Sequence, residues 1–81
     1  MTTNNKKWSR AVWLERNQEF EDVDLTKWID AGFVHWPPII IPFSKAVRED
    51  LDYASDWLKF ELVKIKYQSD KLDFIHINTI I

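Results

Sequence analysis

The chain has no cysteine and a single glycine, Gly32, in 81 residues. Without cysteine there is no disulfide, no thiolate zinc site and no thiol nucleophile. A secreted domain of this size usually carries disulfides, so the sequence favours an intracellular setting. With one glycine there is no glycine-rich phosphate loop, and no glycine-flanked elbow for Ser9, Ser44, Ser55 or Ser69. No apolar run approaches the roughly 20 residues of a membrane span. The opening MTTNNKK lacks the apolar core of a signal peptide and reads, as residues 1–7, like a polar tail. Positive charge is not in excess: 11 Lys and Arg stand against 13 Asp and Glu, a net charge of −2. General attraction to nucleic acid or anionic lipid is therefore absent.

What the chain does have is aromatic and aliphatic bulk. Apolar residues make up 46% and charged residues 30%, the balance of a folded globular protein. The length bounds it to one domain, taken as residues 8–81, which buries only about 60–65% of its unfolded surface. Five tryptophans, Trp8, Trp13, Trp28, Trp36 and Trp57, let so small a domain fill its core with few side chains.

The apolar pattern sets the elements. WSRAVWLE, 8–15, alternates two apolar sets and reads as a strand packed on both faces. EFEDV, 19–23, is a weaker second strand across an RNQ turn. DLTKWIDAG, 24–32, reads as one or two helical turns, with Asp24 as N-cap and Gly32 as the stop. FVHW, 33–36, is a short strand. SKAVREDLDYASDW, 44–57, predicts the main helix, capped by Ser44, with Val47, Leu51, Ala54 and Leu58 as its inner stripe. LKFELVKIKYQ, 58–68, is the longest strand, and the switch of its apolar face near Leu62 predicts a bulge. LDFIHINTII, 72–81, is a last strand. The expected class is α+β: a small twisted antiparallel sheet of four or five strands, or an SH3-like barrel, with one main helix. Trp28 and Trp57 are expected in the core. The uncharged end of the last strand is expected to pair two copies into a homodimer.

Catalytic signals are weak. His35 and His76 have no partner at metal-ligand spacing, and Asp22, Asp24 and Asp73 supply no organised set around them. No cofactor is expected. The carboxylates of EFEDVD and REDLD fall at caps, turns and a solvated helix face, or form an acidic patch for a basic partner. Lys64 and Lys66 share a face of the long strand. With Lys6, Lys7, Arg10, Arg16, Trp8, Trp13 and Tyr67 they offer a nucleic-acid platform as the alternative reading.

The segment HWPPIIIPF, 35–43, carries the functional expectation. Pro37, Pro38 and Pro42 hold it extended, as a polyproline-like strap with few backbone partners. Such a strap runs along a surface. Ile39, Ile40 and Ile41 cannot all point inward, so Trp36 should anchor the strap while one or two isoleucines project. Apolar side chains on a rigid segment suit binding, because little ordering entropy is lost. The other reading makes the strap a structural cover.

The order WSRAVWLE, EFEDVDLTKW, VHWPP and WLKFELVKIKY resembles the N-terminal module of uncharacterised insect, cnidarian and fish proteins, several of which carry a DUF4806-type domain further along. The resemblance spans about residues 8–67. Its sharpest element is WPP, and it departs from the pattern at His35 and at IIIPF. It implies an animal, non-catalytic module tied to transposon-derived or chromatin proteins. Together these readings predict a small non-enzymatic, intracellular regulatory domain, nuclear by the resemblance to chromatin proteins, that binds a protein partner rather than nucleic acid or membrane. The binding residues expected are Trp36, Pro37, Pro38, Ile39, Ile40, Ile41 and Phe43, with Lys64 and Lys66 for the alternative.

Overall fold

The computed structural model describes residues 6–71. Strand β1, Trp8–Glu15, is buried on both faces, as its two apolar sets require. Arg16 and Asn17 turn the chain with φ of 53° and 67°. That is the two-residue hairpin geometry whose twist matches the strands it joins. Strand β2, Gln18–Leu25, returns antiparallel with Trp8 opposite Leu25 and Glu15 opposite Gln18. Lys7 continues this ladder by accepting the Thr26 amide at 2.9 Å, and its own amide donates to Asp70 Oδ1 at 3.0 Å.

The helical stretch expected over 24–32 is a single 3-10 turn, Thr26–Trp28, followed by strand β3, Ile29–Asp30. Asp24 caps nothing: it lies inside β2, and Leu25 occupies the cap position without a side-chain bond. Gly32 does not stop a helix. With Ala31 it forms the turn into strand β4, Phe33–Trp36, at φ of 52° and 84°.

The main helix is also shorter than its stripe predicts. Helix α1 covers Phe43–Arg48 only, with Pro42 rather than Ser44 at its N-cap. Asp50 takes a left-handed φ of 54°, the Asp50 amide bonds to the Val47 carbonyl and the Leu51 amide to the Ala46 carbonyl. This pair of bonds is a Schellman-type end, with aspartate where glycine is usual. Leu51 still packs on the core, as the residue after the cap.

Strand β5, Leu58–Ser69, pairs with β1 along one side and with β4 at Leu58–Glu61 on the other. The register skips at Val63 and again at Lys66, so the expected irregularity near Leu62 is a double bulge. The bulges also redistribute the faces. Ile65 lies opposite Ala11, whereas Tyr67 lies opposite Arg10 and Lys64 opposite Val12, so Ile65 and Tyr67 do not share a side.

The sheet order is β2-β1-β5-β4-β3, so consecutive strands β2 and β3 occupy its two ends. In a flat sheet those ends would be about 19 Å apart. The four residue steps from Leu25 to Ile29 reach at most about 14 Å. The sheet must therefore curl, and the extents of 31 × 30 × 29 Å are those of a rounded body. The five antiparallel strands with one α-helix among the described residues are the small sheet expected, but the helix has only six residues, so the class is mostly β rather than clearly α+β.

Two apolar clusters pack against the two faces of β1. Trp8, Val23, Leu25, Trp28, Ala46 and Trp57 form one, under α1; Ala11, Trp13 and Val34 form the other, with Trp36 and Phe60 against it. Trp28 and Trp57 are buried as expected, 0% and 7% exposed, although Trp57 stands in the turn before β5 and not on a helix. No helix among the described residues is long and apolar enough to cross a membrane. The strand expected over 72–81, its dimer edge, His76 and Asp73 lie outside the described residues.

Candidate interaction surface

Trp36 ends β4 half-buried, and its ring is the hinge between the clusters. It lies 5.6 Å from Trp13, 6.3 Å from Trp28 and 4.9 Å from Phe43, on which it stacks at 19°. Pro37 is buried beside it and Pro38 half-buried. The strap does not run straight on. The Ile41 amide donates to the Pro38 carbonyl at 2.8 Å, closing a β-turn with Ile39 and Ile40 at its tip. Prolines at 37 and 38 set the extended entry, and a third at 42 opens the helix.

The burial along this turn is sharply divided. Ile39 is 101% exposed and Ile40 82%, while Ile41 packs on the helix-side cluster. Phe43 is partly exposed, with its ring edge-on to Trp28 at 5.8 Å. Two neighbouring isoleucines at a turn tip are unusual, because turns favour Gly, Asn, Asp and Ser. Here Trp36 and Pro37 hold the turn from one side and Ile41 and Phe43 from the other. The expected arrangement of an inward Trp36 with projecting isoleucines is the one observed. The straight strap is replaced by a bracketed turn.

Lys64 and Lys66 are not part of this surface. Six residues separate Lys64 from Leu58, the β5 partner of Trp36, about 20 Å along the strand. Lys66 Nζ pairs with Glu21 at 3.2 Å, and Arg10 Nε donates to the same carboxylate at 2.7 Å. The Arg10 hydrogen bond, helped by Lys66, holds the Glu21 carboxyl below its usual range against the opposing pull of desolvation. The rings of Trp8 and Trp13 are buried, which leaves Tyr67 as the exposed aromatic of the three read as a base-stacking platform.

Two buried polar arrangements lie beside these surfaces. His35 is buried and stacks on Tyr53 with ring centroids 3.7 Å apart, and the Tyr53 hydroxyl donates to Asp30 at 2.7 Å. Asp24 is fully buried opposite Ser9, and neither carboxyl oxygen has a partner among the described residues. Burial, with the Asp22 charge, pushes its pKa up to about 8. The alternation of Asp24 with Val23 and Leu25 places it on the opposite side of β2 from them, and that side is also covered. Among the described residues no cluster of three His, Asp or Glu stands ready for a metal ion. No family model, curated protein or solved structure matches the chain. The WPP-module resemblance thus rests on the residues quoted for it.

Proposed function

We propose that this domain is a non-catalytic interaction module that seats the Ile39–Ile40 tip in an apolar pocket of a partner protein. The observation that carries the reading is the near-complete exposure of two adjacent isoleucines on a turn fixed at both ends. Burying each side chain at an interface is worth about 1.5–3 kcal/mol. The bracketed turn has little freedom left to lose, so more of that gain survives as affinity. From Gly32 to Ser44 the chain carries no Asp, Glu, Lys or Arg. An uncharged apolar tip favours a protein pocket over nucleic acid or an anionic membrane, both of which reward Lys and Arg.

The same reading takes the curled sheet as a small SH3-like barrel, with the tip and α1 inserted before β5. It keeps the domain intracellular and nuclear, on the absence of cysteine and on the WPP resemblance. Photo-crosslinking tests the tip directly. A photoreactive side chain in place of Ile40 is expected to trap a partner protein in native extract, and one in place of Arg16, in the β1–β2 turn, is not. Equal yields at the two positions would reject the reading.

A further inference from the structure

We propose that the aromatic groove where β1, β5 and β4 lie side by side binds a methylated lysine side chain of a partner protein. The site goes beyond the Ile39–Ile40 tip and does not depend on it, although Trp36 borders both. Side chains two apart on a strand share a face, and residues paired across strands share it too. Trp13 and Glu15 therefore stand on one face of β1, with Leu58 and Phe60 on β5 and Trp36, opposite Leu58, on β4. These side chains line a groove of about 300 Å³. The Trp13 ring lies 5.6 Å from Trp36 and 6.4 Å from Phe60, at interplanar angles of 36° and 26°. Trp13 is nearly buried and forms the floor. Trp36 and Phe60 are half-buried, and Leu58 is 48% exposed.

Glu15 carries the one charge of this lining. Its Oε1 accepts the Trp13 indole N–H at 3.2 Å, which holds the carboxylate against the rings. It makes no ion pair among the described residues. The bases next to the groove in the chain are turned elsewhere. Arg16 lines a separate hollow with Gln18 and Phe20. Lys59, between Leu58 and Phe60, projects from the other face, its ammonium 4.3 Å from the centre of the Phe33 ring.

Rings with one carboxylate among them select the ligand. Aromatic faces attract a cation through their quadrupole, and the carboxylate supplies the counter-charge. A bare lysine ammonium is compact and strongly hydrated, with three N–H donors to satisfy. The groove offers it one carboxylate and no other acceptor side chain. Methylation keeps the charge and replaces those donors with apolar surface. The planar fork of arginine seeks both oxygens of a carboxylate, and Trp13 already holds one of them. Exposed Leu58 gives the four-carbon stem of lysine an apolar wall, which a free quaternary amine such as choline would leave uncovered.

The test is an NMR titration of the 15N-labelled chain with three blocked Ala-X-Ala peptides. In these X is trimethyl-lysine, lysine, or the neutral isostere with a tert-butyl group in place of trimethylammonium. The trimethyl-lysine peptide is expected to shift the indole N–H signals of Trp13 and Trp36. The lysine and neutral peptides are expected to bind at least tenfold more weakly, and choline at least fivefold. Glu15→Gln keeps an oxygen for the Trp13 indole and removes the charge. It is expected to weaken the trimethyl-lysine peptide at least fivefold with the melting temperature unchanged. Glu49→Gln makes the same change of net charge at the end of α1 and is expected to leave the titration as it is. Unmoved indole signals, or equal binding of the trimethyl-lysine peptide and either of the other two, would overturn the proposal. So would choline binding as tightly as the peptide, which would assign the groove to a free quaternary amine.

Discussion

The Trp28 indole donates to the Leu51 carbonyl at 2.8 Å, tying the turn between β2 and β3 to the first residue beyond the α1 cap. The same ring lies edge-on to Trp57 at 5.2 Å. One side chain thus holds the helix end, the entry to β5 and the base of the exposed tip. Trp28→Phe keeps the ring packing but strands the Leu51 carbonyl, at a cost of about 1–3 kcal/mol. Trp28→Ala should cost about 3–5 kcal/mol, a large share of the stability of so short a chain. Urea denaturation reads both. A Trp28→Phe midpoint equal to that of the parent would show that the bond carries no weight.

Asp24 makes stability fall as pH rises. Its carboxyl is held neutral in the fold, with a pKa near 8, and ionises near 3.8 in the unfolded chain. Between those values the folded state binds the extra proton, so each pH unit weakens the fold by up to about 1.4 kcal/mol. Glu21 acts oppositely, but only in the acidic range below its ordinary value of 4.5. Denaturation at pH 5 and pH 8 should therefore show the parent weaker at pH 8, and Asp24→Asn with most of that difference removed. Equal stability of the parent at the two pH values would contradict the burial of an unpartnered carboxyl here.

Ala31 sits at φ of 52°, where a β-carbon is unfavourable and glycine is not. Ala31→Gly should stabilise the β3–β4 turn by about 0.5–1 kcal/mol, read as a rise in melting temperature. Ala31→Val should lower it, because a branched side chain tolerates this backbone region least. A fall on going to glycine would mean the turn is held by something other than its backbone geometry.

The strands could be read from the chain because their signals are local. Trp8 and Val12 face one side of β1 and Ala11 and Trp13 the other, both sides being covered, and WPP marks the end of β4 by removing its amides. Val47, Leu51, Ala54 and Leu58 keep helical spacing past the real end of α1 at Arg48, so the spacing predicts a longer helix than forms. Asp50 adopts the left-handed cap without the glycine that announces one, and Leu51 reaches the core by the cap rather than by another turn. Asp24 misled for a related reason: an acid before a short apolar run is the mark of an N-cap, and only the pairing with Ser9 shows it to be interior. The tip was half legible. The prolines and the run of isoleucines required exposure, whereas the Pro38–Ile41 hydrogen bond that singles out Ile39 and Ile40 is set by how Trp36 and Phe43 pack.

The account turns on whether the Ile39–Ile40 tip binds without supporting the fold. The most direct measurement is a quantitative pull-down from native extract with Ile40→Asp beside the parent, after the melting temperatures of both have been compared. The change is expected to leave stability within about 0.5 kcal/mol, as surface substitutions do. It is expected to deplete at least one partner protein by tenfold or more, the scale of an interface residue worth about 1.4 kcal/mol. An unfolded Ile40→Asp domain would make the tip a structural element. A stable one that recovers the same proteins at the same yield would contradict its role as a binding surface.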